Sequence, residues 1–552
     1  MRIVSYLERL ADLLRPQYSQ SGSSSSPEYR TQDRLPPGTD SVAIRWYSTK
    51  WAYAAAIFLV LGISAGWAST FGYLTIDSWN YLHLAQSIRD GQGCSVRGAY
   101  FATFPCGYPL VIALTAPSTE IGALIVSSKV TNLILLFVGF FFLMKTFRNV
   151  LVPVLIVVNP FTIELYQYTW SENLFLLAFC ASIYAISRIA HNGSSRWYAV
   201  LLACALIVGC SSRYFFAPFS VVIFAAAWIS YGRTTAIRAL PAFVAAAIFF
   251  LGYQKFNVVA TGFPTGTPRI PAPETFVFLL FRFIRQVGKE FILTGALLLI
   301  LLWGLKRTRG WASASGSRAR VDAQPCRLLA LSGAGYLLLA FYLRTLTQYD
   351  IYSPRTVSYG LVFVIAALVG LVTRTRTNYY PAIPVIIYGA FCLLTAQAEF
   401  ITTLAGNIVH HRYVSPVDAL ERYRNSGTNA DIIVSLRIPD VGPTMDAFPQ
   451  LYYPKRASII EVEAAPYSVP DTVSNLKKKI ENARRQSCVF DFTPFRNRHD
   501  LERFVDGSFP VGFSFRSFPH GPQVDQRGTL DPSMRSLLLA KFQPGRYVAC
   551  SF

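Results

Sequence analysis

Charged residues are scarce in this chain of 552 residues. Asp, Glu, Lys and Arg together make up 15% of it, whereas an ordinary soluble domain has about 25%. Hydrophobic residues make up 52%, and the mean hydropathy is +0.35. This balance excludes a soluble multidomain enzyme and a disordered scaffold, and it favours a chain that spends much of its length in lipid.

Acidic residues are few beside basic ones, with 30 Asp and Glu against 51 Lys and Arg, so the formal net charge is +21. In a soluble protein such a charge would indicate nucleic acid binding. Basic loops between membrane spans explain it better here, because those loops set the orientation of a membrane protein. The sequence also lacks zinc-binding Cys and His spacings, a P-loop and nucleic-acid motifs, so we expect no nucleic acid partner.

Apolar runs begin at Trp51, and each is near the ~20 residues that a bilayer requires. They predict an α-helical polytopic membrane domain over residues 51–398 with about eleven spans. The predicted spans are 51–73, 121–144, 149–166, 170–188, 197–212, 214–231, 238–254, 290–305, 328–346, 356–373 and 380–398. Residues 1–50 are predicted to be a basic, disordered cytoplasmic tail without a signal peptide, in which Arg2–Arg15 forms either a membrane-surface helix or a short solvated one.

The positive-inside rule gives modest support to a cytoplasmic N-terminus, because the inner short loops then carry more basic residues than the outer ones. The predicted outer loop at 255–289 does not fit this rule, because it is rich in basic residues. Either the topology fails there or those cations have a role on the outer face. The expected location is the bacterial inner membrane, with residues 399–552 periplasmic.

The 399–552 tail is predicted to be a soluble α/β domain, because short strand patterns alternate with helical ones. The predicted strands are Asp431–Leu436, Ser458–Val462, Ser487–Phe492 and Tyr547–Phe552, and the predicted helices are Thr472–Gln486 and His499–Val505. Of the nine cysteines, four fall outside the membrane: Cys94, Cys106, Cys488 and Cys550. This even number in an oxidising compartment fits two disulfides, one in the first outer loop and one in the tail.

The first outer loop, within residues 74–120, is the most informative segment. It supplies, in order, Asp77, Tyr81, Ala85, Gly91 and the run Gly107-Tyr108-Pro109. This order resembles the first outer loop of the polytopic GT-C glycosyltransferases that use polyprenyl-phosphate sugars. That group includes the protein O-mannosyltransferases of glycosyltransferase family 39 and the lipid A aminoarabinose transferases. Two later stretches, Trp170–Phe175 and Tyr349–Arg355, resemble further elements of the same family.

The resemblance implies a GT-C-like membrane domain that moves a hexosyl or pentosyl group from a polyprenyl phosphate to a glycan, lipid or protein acceptor on the outer face. It also implies inversion at the anomeric carbon, no resident cofactor and no divalent metal; the outer segments show no Asp-x-Asp pair and no Cys/His cluster. The acceptor hydroxyl must lose a proton, and Asp77 is the predicted general base. The alternative is that Asp77 only caps the helix that follows it.

The leaving phosphate needs cations near the membrane interface. The candidates are Lys129, Arg213, Arg344 and Arg355. Each has a plainer interpretation, such as snorkelling of Lys129 to the head groups or interface anchoring by Arg213. Tyr81, Tyr108 and Glu172 are predicted to bind the substrate, against the alternatives of an aromatic belt for the tyrosines and a structural ion pair for Glu172.

Two other classes of function remain open at this point. One is a polytopic transporter or lipid flippase, and the other is a non-catalytic cell-envelope assembly protein whose tail domain does the work. Transporters often show paired halves with broken helices at the bilayer midplane. The sequence shows no such halves, and its ionisable residues cluster at one face, which favours surface chemistry.

Overall fold

The structure is a computed structural model. It describes residues 58, 61, 62, 64 and 66, then 76–96, 99–147, 149–192, 196–266, 274–308, 323–347, 352–372, 387–398, 432–437, 458–464, 488–492, 495, 497–505, 511–517, 523–529 and 532–550. The predicted tail at 1–50, most of the first predicted span and the predicted helix Thr472–Gln486 lie outside these residues.

The described part of the membrane domain is helical apart from one small hairpin in the first loop. Its elements are α1 Ile76–Arg89, β1 Ser95–Val96, β2 Ala99–Tyr100, α2 Gly107–Thr115, α3 Ile121–Thr146, α4 Leu151–Val157, α5 Pro160–Gln167, α6 Glu172–Asn192, α7 Arg196–Ser212, α8 Phe216–Tyr231, α9 Arg233–Thr261, α10 Phe276–Thr308, α11 Ala323–Leu346, α12 Pro354–Val372 and α13 Ile387–Ala398.

Five of the described helices are long and apolar enough to cross a membrane, namely α3, α6, α9, α11 and α12. Three shorter apolar helices, α7, α8 and α13, accompany them. The predicted α-helical membrane protein is confirmed by these helices. Helix α2 has only nine residues, too few to span a bilayer, as the sequence predicts for its apolar run.

The predicted span at 149–166 is wrong as a single helix, because the chain breaks between α4 and α5. Asn159 caps α5 with its side chain, which accepts a hydrogen bond from the backbone N–H of Thr162 at 2.9 Å. Pro160 occupies the first turn, where its missing N–H costs nothing. The Asn159 amide also donates to the carbonyl oxygens of Leu155 and Ile156, so it satisfies the end of α4 as well.

The predicted outer loop at 255–289 is also shorter than expected. Helix α9 continues to Thr261, and α10 already begins at Phe276. The stretch 276–289 contains no proline, and its apolar residues recur at helical spacing, so the helix extends through it. Its basic residues therefore lie on a helix and not in a loop.

Helix α6 lies at the centre of the apolar core. Phe175 stacks on Phe219 of α8 and on Tyr359 of α12, with ring centroids 5.6 and 5.8 Å apart. One turn further on, Phe179 stacks on Phe363 at 4.3 Å. These contacts hold the first residues of α6 and α12 beside each other.

The tail folds as an α/β unit with a six-stranded sheet in the order β7-β6-β4-β3-β5-β8. Its elements are β3 Ile432–Arg437, β4 Ser458–Ala464, β5 Cys488–Asp491, α14 Arg498–Val505, β6 Val511–Ser517, β7 Gln523–Thr529, α15 Pro532–Lys541 and β8 Tyr547–Ala549. Strands β4, β3 and β5 are parallel, and the outer pairings are antiparallel. The four predicted strands are all present. Cys488 is disulfide-bonded to Cys550, with 5.2 Å between their Cα atoms.

Candidate active site

Four charged side chains meet where four helices begin or end. Asp77 lies in the first turn of α1, and Glu172 is the first residue of α6. Arg213 follows the last residue of α7 directly, and Arg355 is the second residue of α12. These four residues are called the charge cluster below. The sequence analysis singled out every one of them.

Arg355 connects the two carboxylates. Its Nη1 donates to Oδ2 of Asp77, and its Nε donates to Oε1 of Glu172. Arg213 donates from Nη1 to the same Oε1 of Glu172. Glu172 is therefore held by two guanidinium groups, while Asp77 is held by one.

Burial differs sharply between the two carboxylates. The Glu172 side chain is 3% exposed, the two arginines are 16% exposed, and Asp77 is 27% exposed. Two negative and two positive side chains balance one another, which a desolvated cluster requires. Both carboxylates also lie in the first turn of a helix, where the macrodipole favours negative charge. The geometry leaves Asp77 as the carboxylate that a ligand can reach.

Arg355 is further oriented by an aromatic ring. Its guanidinium carbon lies 4.6 Å from the centroid of the Trp170 ring, in a cation–π arrangement. Trp170 is in turn stacked on Tyr168, with centroids 4.3 Å apart and planes 11° apart. The Tyr359 hydroxyl donates to the backbone oxygen of Glu172 at 3.1 Å and so ties α12 to the start of α6. The arginine is thus fixed from two sides.

The segment between α5 and α6, residues 168–171, is buried and bonded from several helices. Asn132 of α3 donates from Nδ2 to the backbone oxygens of Tyr166 and Tyr168 at 2.9 and 2.8 Å. Lys129, also on α3, donates from Nζ to Oγ1 of Thr169 at 3.1 Å. These bonds fix the backbone that carries the Trp170 ring and the Glu172 carboxylate.

The predicted phosphate-binding role of Lys129 does not fit its position. The side chain is completely buried and contacts Thr169, so a lipid phosphate has no access to Nζ in this structure. We assign Lys129 to holding the 168–171 segment. Intramembrane ionisable groups do mark functional regions, and Lys129 lies beside one without facing the ligand.

Arg344 is the fourth predicted cation, and the described structure does not bring it to the charge cluster. It pairs instead with Glu274, just before α10, with Nη2 2.8 Å from Oε1. A hydrogen bond to its own backbone N–H, together with the Arg344 guanidinium, holds the pKa of Glu274 below its usual range. This pair fastens α11 to the segment that leads into α10.

Tyr81 and Tyr108, which the sequence predicts to bind the substrate, have fully buried rings in this structure. They pack edge to face with centroids 5.3 Å apart. The Tyr81 hydroxyl shares a hydrogen bond of 2.8 Å with Oγ of Ser171, and the Tyr108 hydroxyl donates to Oδ1 of Asn132 at 2.6 Å. Both tyrosines pin the first loop to the core. The predicted alternative for Glu172, an ion pair with an arginine, is what the structure contains.

A polar network that sequence reasoning missed anchors the first loop to the turn that carries Arg213. Tyr100 donates to Oδ1 of Asn257 on α9 at 2.6 Å, and Asn257 donates to the Tyr214 hydroxyl at 2.8 Å. The Tyr214 hydroxyl donates to the backbone oxygen of Ala102 at 2.6 Å. The available signal in the sequence was Asn257, an amide in a largely apolar helix, which the structure shows to be completely buried.

The loop is closed by a covalent bond as well. Cys94 and Cys106 are disulfide-bonded, with 6.2 Å between their Cα atoms. Within the described ranges, no three His, Cys, Asp or Glu side chains converge as metal ligands. The site is therefore built from carboxylates, guanidiniums and an indole ring.

No family model matches the chain, and no curated protein matches its sequence. Several solved structures are similar to it at low identity. ArnT from Cupriavidus metallidurans bound to undecaprenyl phosphate has a TM-score of 0.49 and 9% identity, over 82% of this chain and 93% of that chain. The apo state of the same protein has a TM-score of 0.43 and 9% identity, over 91% and 98%.

The archaeal oligosaccharyltransferase AglB from Archaeoglobus fulgidus, in complex with an inhibitory peptide and a dolichol-phosphate, has a TM-score of 0.35. It is 13% identical over 90% of this chain and 78% of that chain. What the chain does is inferred below from its own residues.

Proposed function

We propose that the chain is an integral membrane glycosyltransferase that moves a sugar from a polyprenyl-phosphate donor to an acceptor hydroxyl. The observation that carries this proposal is the charge cluster, in which the reachable carboxylate of Asp77 lies against the guanidinium of Arg355. Transfer from a lipid phosphate needs one group to accept a proton and others to stabilise a leaving phosphate. The cluster supplies both at one place.

Asp77 acts as the general base. It removes the proton from the acceptor hydroxyl while that oxygen attacks the anomeric carbon on the face opposite the phosphate. The bond between the anomeric carbon and the phosphate oxygen breaks, and its electron pair leaves with the lipid phosphate. One displacement of this kind inverts the configuration at the anomeric carbon.

Arg355 and Arg213 stabilise the charge that develops on the phosphate. A guanidinium presents five N–H donors in a planar fork, so it can bind a carboxylate and a phosphate together. Glu172 is too buried to meet the substrate, and its role is to hold both arginines in place. Trp170 fixes the plane of the Arg355 guanidinium.

The rest of the proposal follows the sequence resemblance. The donor is a hexose or pentose on a polyprenyl phosphate, and the acceptor is a glycan, lipid or protein on the outer face of the bacterial inner membrane. The tail domain is then periplasmic. The lipid-linked sugar is a substrate, so we expect no resident cofactor and no divalent metal.

The test is sugar transfer by Asp77→Asn beside Asp90→Asn, in liposomes that contain extracted lipid-linked sugars. Asn caps a helix as well as Asp does, so D77N keeps any capping role and removes only the basicity. We expect D77N to lower the transfer rate at least ~100-fold. Asp90 is an exposed carboxylate at the other end of the same helix, so D90N is the matched control and should transfer at the wild-type rate.

A D77N protein that transfers sugar at the wild-type rate would show that Asp77 is not the base. A wild type that transfers no sugar to any acceptor fraction, but moves a solute across the liposome membrane, would replace the enzyme with a transporter. If the wild type neither transfers sugar nor moves a solute, and the tail domain alone binds cell-envelope glycan, the protein would be a non-catalytic assembly protein.

A further inference from the structure

Helix α10 carries three basic side chains on one face. Arg282, Arg285 and Lys289 are spaced three and four residues apart, which places them within about 60° of one another around the helix axis. All three are exposed, and Arg282 lies over the ring of Phe278, with 4.8 Å from its guanidinium carbon to the ring centroid. These three residues are called the α10 basic stripe.

Another side of α10, about 100° around the helix axis from the stripe, is fixed by its contacts with the protein. Leu279 is buried, and the Phe283 ring lies 5.3 Å from that of Phe341 on α11. Glu290 is also buried and accepts a hydrogen bond from the Ser358 hydroxyl of α12 at 3.4 Å. These contacts determine the rotation of α10 and leave the basic stripe outside the face that packs on the protein.

An apolar face flanks the stripe and has no protein cover among the described residues. Val277, Phe281, Ile284 and Phe291 are all more than half exposed. An exposed apolar face beside a row of basic residues on one helix is typical of a segment that lies at the boundary between lipid tails and head groups. A soluble partner would leave this apolar face in water.

The length of α10 places the stripe at the level of the head groups. The helix has 33 residues and is about 50 Å long, whereas the hydrocarbon core is about 30 Å thick, or about 20 residues. The sequence predicts a span at 290–305, and Lys306 and Arg307 follow it directly, which places one boundary of the core there. Counting back about 20 residues reaches the region of Arg285 and Lys289, so the stripe lies at the opposite boundary.

We propose that the α10 basic stripe binds the phosphate head groups of anionic phospholipids. Charge complementarity favours this occupant, because the stripe forms no salt bridge within the described ranges and its two acidic neighbours have other partners. Glu274, which interacts with Arg282, pairs with Arg344, and Glu290, beside Lys289, accepts from Ser358. Phospholipid tails also cover Phe291, the exposed apolar residue on the core side of the stripe. Their binding would hold α10 against α12, the helix that carries Arg355, whatever reaction the charge cluster performs.

The test is the binding of phosphatidylglycerol and phosphatidylcholine to the full chain in detergent, counted by native mass spectrometry. The variant is R282Q/R285Q/K289Q. The matched control, R498Q/R535Q/R546Q, removes the same charge from the tail domain. Each basic residue near a membrane surface contributes about fivefold to the binding of anionic lipid, so we expect phosphatidylglycerol to bind ~100-fold more weakly to the α10 variant.

Phosphatidylglycerol should bind the control as it binds the wild type, and phosphatidylcholine should bind all three proteins equally. Equal phosphatidylglycerol binding by the wild type and the α10 variant would overturn the proposal. So would a loss confined to added polyprenyl phosphate, which would assign the stripe to a lipid-phosphate substrate instead. If the triple variant does not fold, raising the salt concentration must still weaken phosphatidylglycerol binding to the wild type, and salt-independent binding would contradict the proposal.

Discussion

Removing the charge of Glu172 while keeping its shape should unbalance the charge cluster. In the Glu172→Gln variant, Arg213 and Arg355 remain in place with only Asp77 to balance them. Removing one partner from a buried ion pair costs about 3–5 kcal/mol, because the other charge is left desolvated without compensation. Glu172 is 3% exposed and meets both guanidiniums, so this range applies to it.

The companion variant Arg213→Gln should cost less. Glu172 then keeps its bond from Arg355, and the loss is that of one hydrogen bond to a charged group, about 1.5–3 kcal/mol. The double variant E172Q/R213Q leaves Asp77 paired with Arg355, and it is neutral again. We therefore expect its free energy of unfolding to exceed, by at least about 1 kcal/mol, the value obtained by adding the losses of the two single variants. A coupling of this size is within the range for residues in contact.

The assay is the free energy of unfolding of the four proteins, measured by SDS titration in mixed micelles. The matched cycle uses the exposed pair Arg498 and Glu502 of the tail, 3.0 Å apart on one helix, whose coupling should be below about 0.5 kcal/mol. If E172Q unfolds like the wild type, or if E172Q and R213Q add without coupling, the charge cluster is not the balanced, buried unit described above.

Three further predictions concern the surroundings of the cluster. Trp170→Leu removes the ring beneath Arg355 and should weaken binding of the lipid-phosphate donor about 2- to 30-fold, measured as Kd, since a cation–π contact contributes about 0.5–2 kcal/mol. The double variant C94S/C106S opens the first loop and should lower the free energy of unfolding by about 3 kcal/mol, measured by the same SDS titration. The pKa of Glu274 is lower in the folded state than in the unfolded state. Ionised Glu274 therefore stabilises the fold above its unfolded pKa near 4.3, and this stabilisation is lost as the pH falls through the folded-state pKa. Glu274→Gln should therefore reduce the loss of thermal stability below about pH 4.

Each of these three has its own control. Trp170→Phe keeps an aromatic face and should retain most of the donor affinity, so equal losses in Leu and Phe variants would contradict the cation–π account. A reducing agent should destabilise the wild type more than C94S/C106S, because that variant keeps only the Cys488–Cys550 disulfide, and equal effects on both would show that the first-loop disulfide contributes nothing. If E274Q and the wild type lose stability equally on acidification, the lowered pKa of Glu274 has no bearing on folding.

The sequence predicts the members of the charge cluster but not which side chains form ion pairs with one another. Asp77 and Arg355 are 278 residues apart, and each stands out because its residue type and local motif fit the family pattern. The choice among the four cations could not be made, because it depends on which helix ends pack together. Arg344 was a candidate for the same reason as Arg355, because it is a cation expected near the membrane interface. In the structure, however, α11 packs beside the segment that leads into α10, and Arg344 pairs with Glu274.

Burial is the other property that pattern reasoning could not supply. Tyr81 and Tyr108 lie in a loop where an aromatic side chain suits either a sugar or a core, and only the packing of α1 and α2 shows that both are enclosed. The helix break at Asn159-Pro160, by contrast, could have been predicted from the sequence, because Asn at the N-cap and Pro in the first turn are a helix-start signal. Strand β7, Gln523–Thr529, was missed because its residues are mostly polar and show no apolar alternation.

The most direct measurement of the central claim is native mass spectrometry of the full chain in lipid nanodiscs, with wild type, Asp77→Asn and Arg355→Gln side by side. Bound polyprenyl phosphate and its sugar-bearing form are counted after lipid-linked sugars and an acceptor fraction are added. The account predicts that the sugar-bearing lipid accumulates on D77N, turns over on the wild type and is largely lost from R355Q. Equal occupancy of all three proteins, or no polyprenyl phosphate on any of them, would contradict it.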